Sequence, residues 1–272
     1  MKGDSLRHLL QEIMGRVEGK VSLALEIDDG FSMSIEPDVL FAAASLIKVP
    51  ILLVALAKAD KKQLDLLKII SVSKNDNVGG SGVISRLSDN VQLRIIDLLT
   101  LMIIVSDNTA TNLVIDEVGI EEVNEYLKHA GCVGTVLGRK LMDYEARQAG
   151  RDNFTTANDM RLLFNRLWED PSLSASHKEQ ALAMFAAQQF NHKLPRLIQY
   201  KPDTTFYHKT GELSDVQHDA GILWHKGRRA TIAVLCGDLK SSAEAQDALA
   251  QIGLAIWEYL DGMEQKEPSP LL

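Results

Sequence analysis

Phe41-Ala42-Ala43-Ala44-Ser45-Leu46-Ile47-Lys48-Val49-Pro50 opens an apolar run over residues 51–59 and sets a serine and a lysine three residues apart at its head. The run predicts a buried helix. Proline is tolerated only in the first turn or so of a helix, so Pro50 places the start close to Ser45. Residues i and i+3 share a helix face, which brings the Lys48 amine within reach of the Ser45 hydroxyl. The free N–H groups and positive dipole end of the helix start point to the same place. A hydroxyl beside a buried amine, near backbone donors, has the make-up of an activated nucleophile.

Ser-x-x-Lys decides nothing by itself, because both residues are common. Ser71-Val72-Ser73-Lys74 repeats it in a strand-like piece with no helix start behind it, and reads as structural. Two later triplets change the balance. Ser106-Asp107-Asn108 lies between two helical patterns, where side chains project into a cleft. Its twin, Ser88-Asp89-Asn90, precedes a helical pattern that starts at Gln92 and reads as an N-cap. Lys209-Thr210-Gly211 ends a β-branched and aromatic strand, and the glycine lets a substrate approach the backbone.

The 272 residues are 46% hydrophobic, enough for a real core in one large domain or two small ones. A net charge of −8 argues against non-specific nucleic-acid binding. Cys132 and Cys236 are far apart and make neither a disulfide framework nor a zinc pattern, so they read as buried free thiols. No close histidine pair marks a metal site; no metal and no cofactor is expected. Met1-Lys2-Gly3-Asp4-Ser5 runs straight into an amphipathic helix, with no apolar signal core, and no run is long enough to span a membrane. The expectation is a monomeric cytoplasmic protein, secreted only if a signal was removed before this sequence begins.

Residues 6–17 predict a helix, and 21–27 with 31–35 a hairpin around Asp28-Asp29-Gly30. Helical patterns follow at 46–59, 92–105, 109–118, 121–130, 157–167 and 178–185. The glycine-rich stretch 75–82 lacks the lysine of a phosphate-binding loop and reads as turn chemistry, while 134–153 is polar and without a clear pattern. Strands are predicted at 204–209, 216–224 and 230–236, then a helix at 241–260 and a frayed tail at 264–272. Strands at both ends with helices between make an α+β plan: a sheet domain from residues 1–43 and 195–272, and a mostly helical domain at 44–194. Consecutive strands with tight turns should pair antiparallel.

Ser-x-x-Lys, Ser-Asp-Asn and Lys-Thr-Gly in this order are the set of class A β-lactamases and penicillin-binding proteins. The flanks agree: Met102-Ile103-Ile104-Val105-Ser106-Asp107-Asn108-Thr109-Ala110-Thr111-Asn112-Leu113 resembles the second motif, and His208-Lys209-Thr210-Gly211-Glu212 the third. The resemblance implies an antiparallel sheet made from both chain ends, packed on a helical domain, with the site between them. It implies acyl transfer from a β-lactam or a related amide or ester to Ser45, with Lys48 able to take the Ser45 proton. Ser106 would relay a proton to the leaving nitrogen, and Lys209 with Thr210 would hold the substrate carboxylate. Asn108 would bind the substrate side-chain amide, and the N–H groups of Ser45 and Glu212, past Gly211, would form the oxyanion hole.

One departure concerns deacylation. The Glu-x-x-Leu-Asn segment that activates water in these β-lactamases does not occur here. Arg139 and Asp152 are expected to close the corresponding loop, and the usual glutamate position falls near Leu141. Glu145 or Asp143 would serve as base if the loop is rearranged, and otherwise none does. The implied activities are therefore a β-lactamase with slow deacylation, a D-alanyl-D-alanine peptidase or esterase, or a β-lactam-binding protein that is acylated once.

Overall fold

Alternation along the strands sorts the core into two layers. In the computed structural model, which describes residues 1–170 and 173–264, helix α1 (Gly3–Met14) leads into β1 (Lys20–Ile27) and β2 (Ser32–Ile35). Leu23, Leu25 and Ile27 point to one side of the sheet and Ala24 to the other, as the two-residue period of a strand requires. A short strand β3 (Phe41–Ala42) and a 3-10 turn (Ala44–Ile47) precede α2 (Lys48–Asp60). Then come β4 (Ile69–Val72), β5 (Val91–Arg94), α3 (Ile95–Ile104), α4 (Asn108–Val118), α5 (Ile120–His129), α6 (Tyr144–Gln148), β6 (Phe154–Thr155), α7 (Ala157–Glu169) and α8 (Ala175–Ala186). Strands β7 (Thr204–Leu213), β8 (Val216–His225) and β9 (Arg228–Gly237) return to the sheet, and α9 (Ser242–Asp261) follows.

The sheet order is β2-β1-β9-β8-β7, with each neighbouring pair antiparallel. The hairpin from the start of the chain thus pairs with the last strand, and β7 is left at an edge. Helices α1 and α9 cover one face through Leu6, Leu10, Leu249, Ile252 and Ile256. Helix α7 and the 3-10 turn pack against the other.

Helix α2 is the post of the helical layer. From Lys48 to Ala57 every residue is buried, so this helix is apolar all round rather than along one stripe. It packs against α3, α4, α5, α7 and α8. Leu52 and Leu53 are fully buried, and truncating either to alanine should cost about 2–5 kcal/mol. Pro50 sits in the first turn of α2, where its missing N–H has no partner to lose.

Local readings differ from the structure in three places. The segment at 92 does not begin a helix: β5 runs Val91–Arg94 and α3 starts at Ile95. Ser88-Asp89-Asn90 is therefore a turn before a strand, in which Asp89 accepts from the N–H groups of Lys74 and Asn90. Pairing with β4, register Ile70↔Leu93, overrides the helical pattern there. Lys209-Thr210-Gly211 is interior to β7 rather than at its end, because Gly211 pairs with His218 and the turn comes after Leu213. The stretch 75–82 is more than a turn, and its role belongs to the site. The tail expected to fray lies, beyond Glu264, outside the described residues. No helix among the described residues is long and apolar enough to cross a membrane.

Candidate active site

The 3-10 turn at Ala44–Ile47 hands Ser45 to the sheet edge while α2 carries Lys48 beneath it. Ala44 has φ 45° and Ser106 φ 55°. Left-handed backbone at non-glycine residues is uncommon and is held only by surrounding structure. Here it bends the chain just before Ser45 and again between α3 and α4, aiming both hydroxyls at one point. Asp107 supplies much of the restraint. It caps α4 by accepting from the Ala110 N–H at 2.9 Å, and its other oxygen accepts from the N–H groups of Val83 and Ile84 at 2.7 and 2.9 Å.

Four side chains meet. Ser106 Oγ lies 2.8 Å from Ser45 Oγ, and Lys48 Nζ lies 3.1 Å from Ser45 Oγ and 2.9 Å from Ser106 Oγ. Lys209 Nζ reaches Ser106 Oγ at 3.2 Å. Lys48 and Lys209 are both fully buried. Lys48 also donates to the Ser106 carbonyl at 2.7 Å and to Asn108 Oδ1 at 2.8 Å. The Asn108 amide is oriented by its own Nδ2, which donates to the Gly79 carbonyl at 3.0 Å. Those two Lys48 acceptors can only accept, so they take two N–H bonds. A neutral amine then keeps its lone pair for the hydroxyls of Ser45 and Ser106.

The electrostatics favour that neutral amine. Burial pushes the Lys48 pKa well below the ordinary lysine value, nearby Lys209 pushes the same way, and Asp107 opposes them. Lys209 is lowered to about 7, first by burial and then by Lys193, against Asp219.

Gly211 matters through close approach. A Cβ there would stand 3.3 Å from the Ala43 carbonyl oxygen, 3.3 Å from Ala44 Cβ and 3.2 Å from His218 Cδ2. The missing side chain lets β7 lie against the Ser45 turn. His218 ties the same parts together. Its Nδ1 accepts from the Cys236 N–H at 3.2 Å, so Nε2 carries the proton donated to the Ala42 carbonyl at 3.0 Å. Burial lowers the His218 pKa to about 4, which keeps that tautomer neutral.

Cavities of about 340 and 240 Å³ open onto Ser45. Ser106, Thr210, Glu212, Phe190, His192 and Ser81 line the first. The second is lined by Asn108, Leu141, Tyr144, Arg147 and Asp152, among others. The glycine-rich stretch is thus a wall of the site. Gly80, at φ 84°, has no room for a Cβ, which would come 2.5 Å from Asn108 Nδ2. Its run of Gly-Gly-Ser-Gly was the available signal, since such a run marks close backbone approach as readily as a turn.

The structure brings together Ser45, Lys48, Ser106, Asn108, Lys209, Thr210, Gly211 and Glu212. It does not bring in Glu145, which is exposed on α6 and lines neither cavity. Asp143 spends Oδ1 capping α6, on the Ala146 N–H at 2.9 Å. Arg139 and Asp152 do pair, Nη2 to Oδ1 at 2.7 Å, and Arg147 Nε adds a contact to Oδ2 at 3.2 Å. The carboxylates that line the cavities, Asp152 and Glu212, both have basic side chains close by; Glu212 Oε2 lies 3.5 Å from both Lys193 Nζ and His192 Nε2. Leu141 holds the place expected of the glutamate and faces the second cavity.

Comparison with known proteins gives one answer. Beta-lactamase BRO-1 of Moraxella catarrhalis is 23% identical over 269 residues, covering 94% of this chain and 85% of that protein. The crystal structure of a beta-lactamase from Sphaerobacter thermophilus is 26% identical with a TM-score of 0.87, over 97% of this chain and all of that one (100%). PBP-A is 25% identical with a TM-score of 0.85, over 95% of this chain and 97% of that one. A variant of PBP-A has been solved as an acyl-enzyme complex with penicillin G. The sequence model of the beta-lactamase enzyme family matches residues 5–260, and this chain belongs to that family.

Proposed function

We propose that the chain is a serine hydrolase of the class A β-lactamase type, which opens a β-lactam amide through an acyl-enzyme on Ser45 and clears it slowly. The observation that carries this reading is the unbroken run of contacts from Ser45 through Lys48 and Ser106 to Lys209. Ser45 Oγ attacks the carbonyl carbon and gives its proton to neutral Lys48. Lys48 passes a proton to Ser106, and Ser106 hands its own to the leaving nitrogen. The transfers between side chains span hydrogen bonds already present, so little reorganisation is needed there. The oxyanion meets the N–H of Ser45, in the first turn of a helix, and the N–H of Glu212, on the edge strand; losing one such donor typically costs about 3–4 kcal/mol in the barrier. Lys209 and Thr210 hold the substrate carboxylate, and the remaining Asn108 N–H takes the side-chain amide.

Slow clearance follows from the carboxylates. Asp152 is bound by two guanidinium groups, so both of its oxygens are already engaged. Leu141 offers no base at all. This supports a second reading, in which the same acylation serves a D-alanyl-D-alanine peptidase, an esterase or a protein that retains its β-lactam. Mixing the protein with a chromogenic cephalosporin tests the first step: a stoichiometric burst and a covalent adduct on Ser45 by mass spectrometry are expected. Absence of both refutes the proposal. Turnover of a β-lactam, a D-alanyl-D-alanine peptide and a nitrophenyl ester, compared side by side, separates the readings; a stable adduct after a single turnover selects the retaining protein.

A further inference from the structure

Lys193 belongs to none of the motifs, yet it is fully buried under the strand that carries Lys209. Its Nζ donates to the Gly211 carbonyl at 2.8 Å and to the His218 carbonyl at 3.2 Å. Gly211 and His218 are register partners, so one amine pins both strands immediately before Glu212. The segment around Lys193 is bolted in place. The Leu194 N–H donates to Asp219 Oδ2 at 3.1 Å, Asp219 Oδ1 lies 2.8 Å from His208 Nδ1, and His208 Nε2 lies 3.1 Å from Asn191 Oδ1.

A buried ammonium with carbonyl partners and a carboxylate only at 3.5 Å is an expensive feature to keep. Packing alone would be served better by an apolar residue. The charged groups around Lys209 are Lys48 on α2, Lys193 before β7 and Asp219 on β8; Asp107 and Glu212 stand beyond them, and His208 and His218 are neighbours on the paired strands. Two lysines thus share Asp219 as their buried counter-charge.

We propose that Lys193 is a positioning residue for acyl transfer: its buried amine, bonded to the Gly211 carbonyl, holds the Glu212 N–H in place and sets a second positive charge beneath the strand that carries Lys209. This rests on the Ser45 reading. The direction agrees with the lowering of Lys209, to which Lys193 contributes after burial. Lys193 is itself lowered by burial, but Asp219 and Glu212 hold it up. Lys193 therefore adds to burial in bringing down the pH limit at which Lys209 grips a substrate carboxylate.

The test is the pH dependence of Ser45 acylation by a chromogenic cephalosporin in stopped flow. Lys193→Gln keeps a donor for Gly211 but removes the charge, and its basic limb should move up by on the order of one pH unit. Lys193→Arg keeps the charge and should keep the limb. A Lys193→Gln limb that stays in place, or one that moves equally in Lys193→Arg, overturns the proposal. Lysine-selective NMR titration of the unaltered protein needs no variant to fold: Lys193 should hold its proton while Lys209 loses its own, and the reverse order also overturns it. No burst at any pH in the unaltered protein defeats the Ser45 reading instead.

Discussion

Leu141→Glu should turn the slow clearance proposed above into turnover. Asn112 holds the Leu141 backbone from both sides, accepting from its N–H at 2.8 Å and donating to its carbonyl at 3.0 Å. The direction of the side chain is therefore set by the backbone, and it faces the cavity shared with Ser45 and Asn108. A carboxylate placed there can order and deprotonate a water beside the acyl ester. General-base assistance contributes about 10²–10⁴-fold, or roughly 3–5 kcal/mol of barrier. Loss of a partly buried isobutyl group costs about 1–2 kcal/mol of stability, which a folded domain tolerates. In stopped flow with a chromogenic cephalosporin, burst amplitude and burst rate should stay near those of the unaltered protein. The steady-state rate should rise about 100-fold. Leu141→Gln has the same shape without the base and should leave the steady state unchanged. An intact burst with no gain in turnover, in a folded Leu141→Glu protein, would refute the reasoning about the missing base.

Lys48→Arg places a group that does not lose its proton where a neutral amine is needed, so the acylation rate should fall by about 10²–10⁴, read from the burst phase. Acylation should follow a bell in pH. It rises as Lys48 sheds its proton, well below the ordinary lysine value, and falls as Lys209 loses its charge through about 7; a rate still climbing above pH 9 would contradict it. Gly211→Ala pushes a methyl to 3.3 Å from the Ala43 carbonyl oxygen and Ala44 Cβ. The displaced Ser45 turn should slow acylation roughly tenfold, with little change in urea stability. Asp152→Asn leaves Arg139 and Arg147 side by side without their shared counter-charge; urea unfolding should show a loss of about 1–3 kcal/mol.

Much of the arrangement was legible in short-range pattern. Helix α2, the first hairpin, the late strands and the three triplets are local features: an apolar run, a two-residue alternation, a hydroxyl and an amine one turn apart. Their order along the chain carried the family resemblance, because each triplet keeps its place at the start of a helix, between two helices or within a strand. Pattern failed where a distant partner decided. Residues 92–94 join a strand because β4 offers hydrogen bonds, and Ser-Asp-Asn at 88–90 becomes a turn with them.

What the amino-acid order settles by itself is which groups are available: a serine, a lysine one turn on, a second serine and a second lysine, with no glutamate where a hydrolytic base would stand. Only the folded chain decides what those groups become. Lys48 and Lys209 become weak bases because burial strips their water, and Lys193 matters because two strands bring its charge beneath the site. Glu145 stands exposed on α6, away from both cavities, while Asp152 lines one of them between two arginines. Proton affinity depends on solvent exposure and on charges a few ångströms away, and the residues that set both come from distant parts of the sequence.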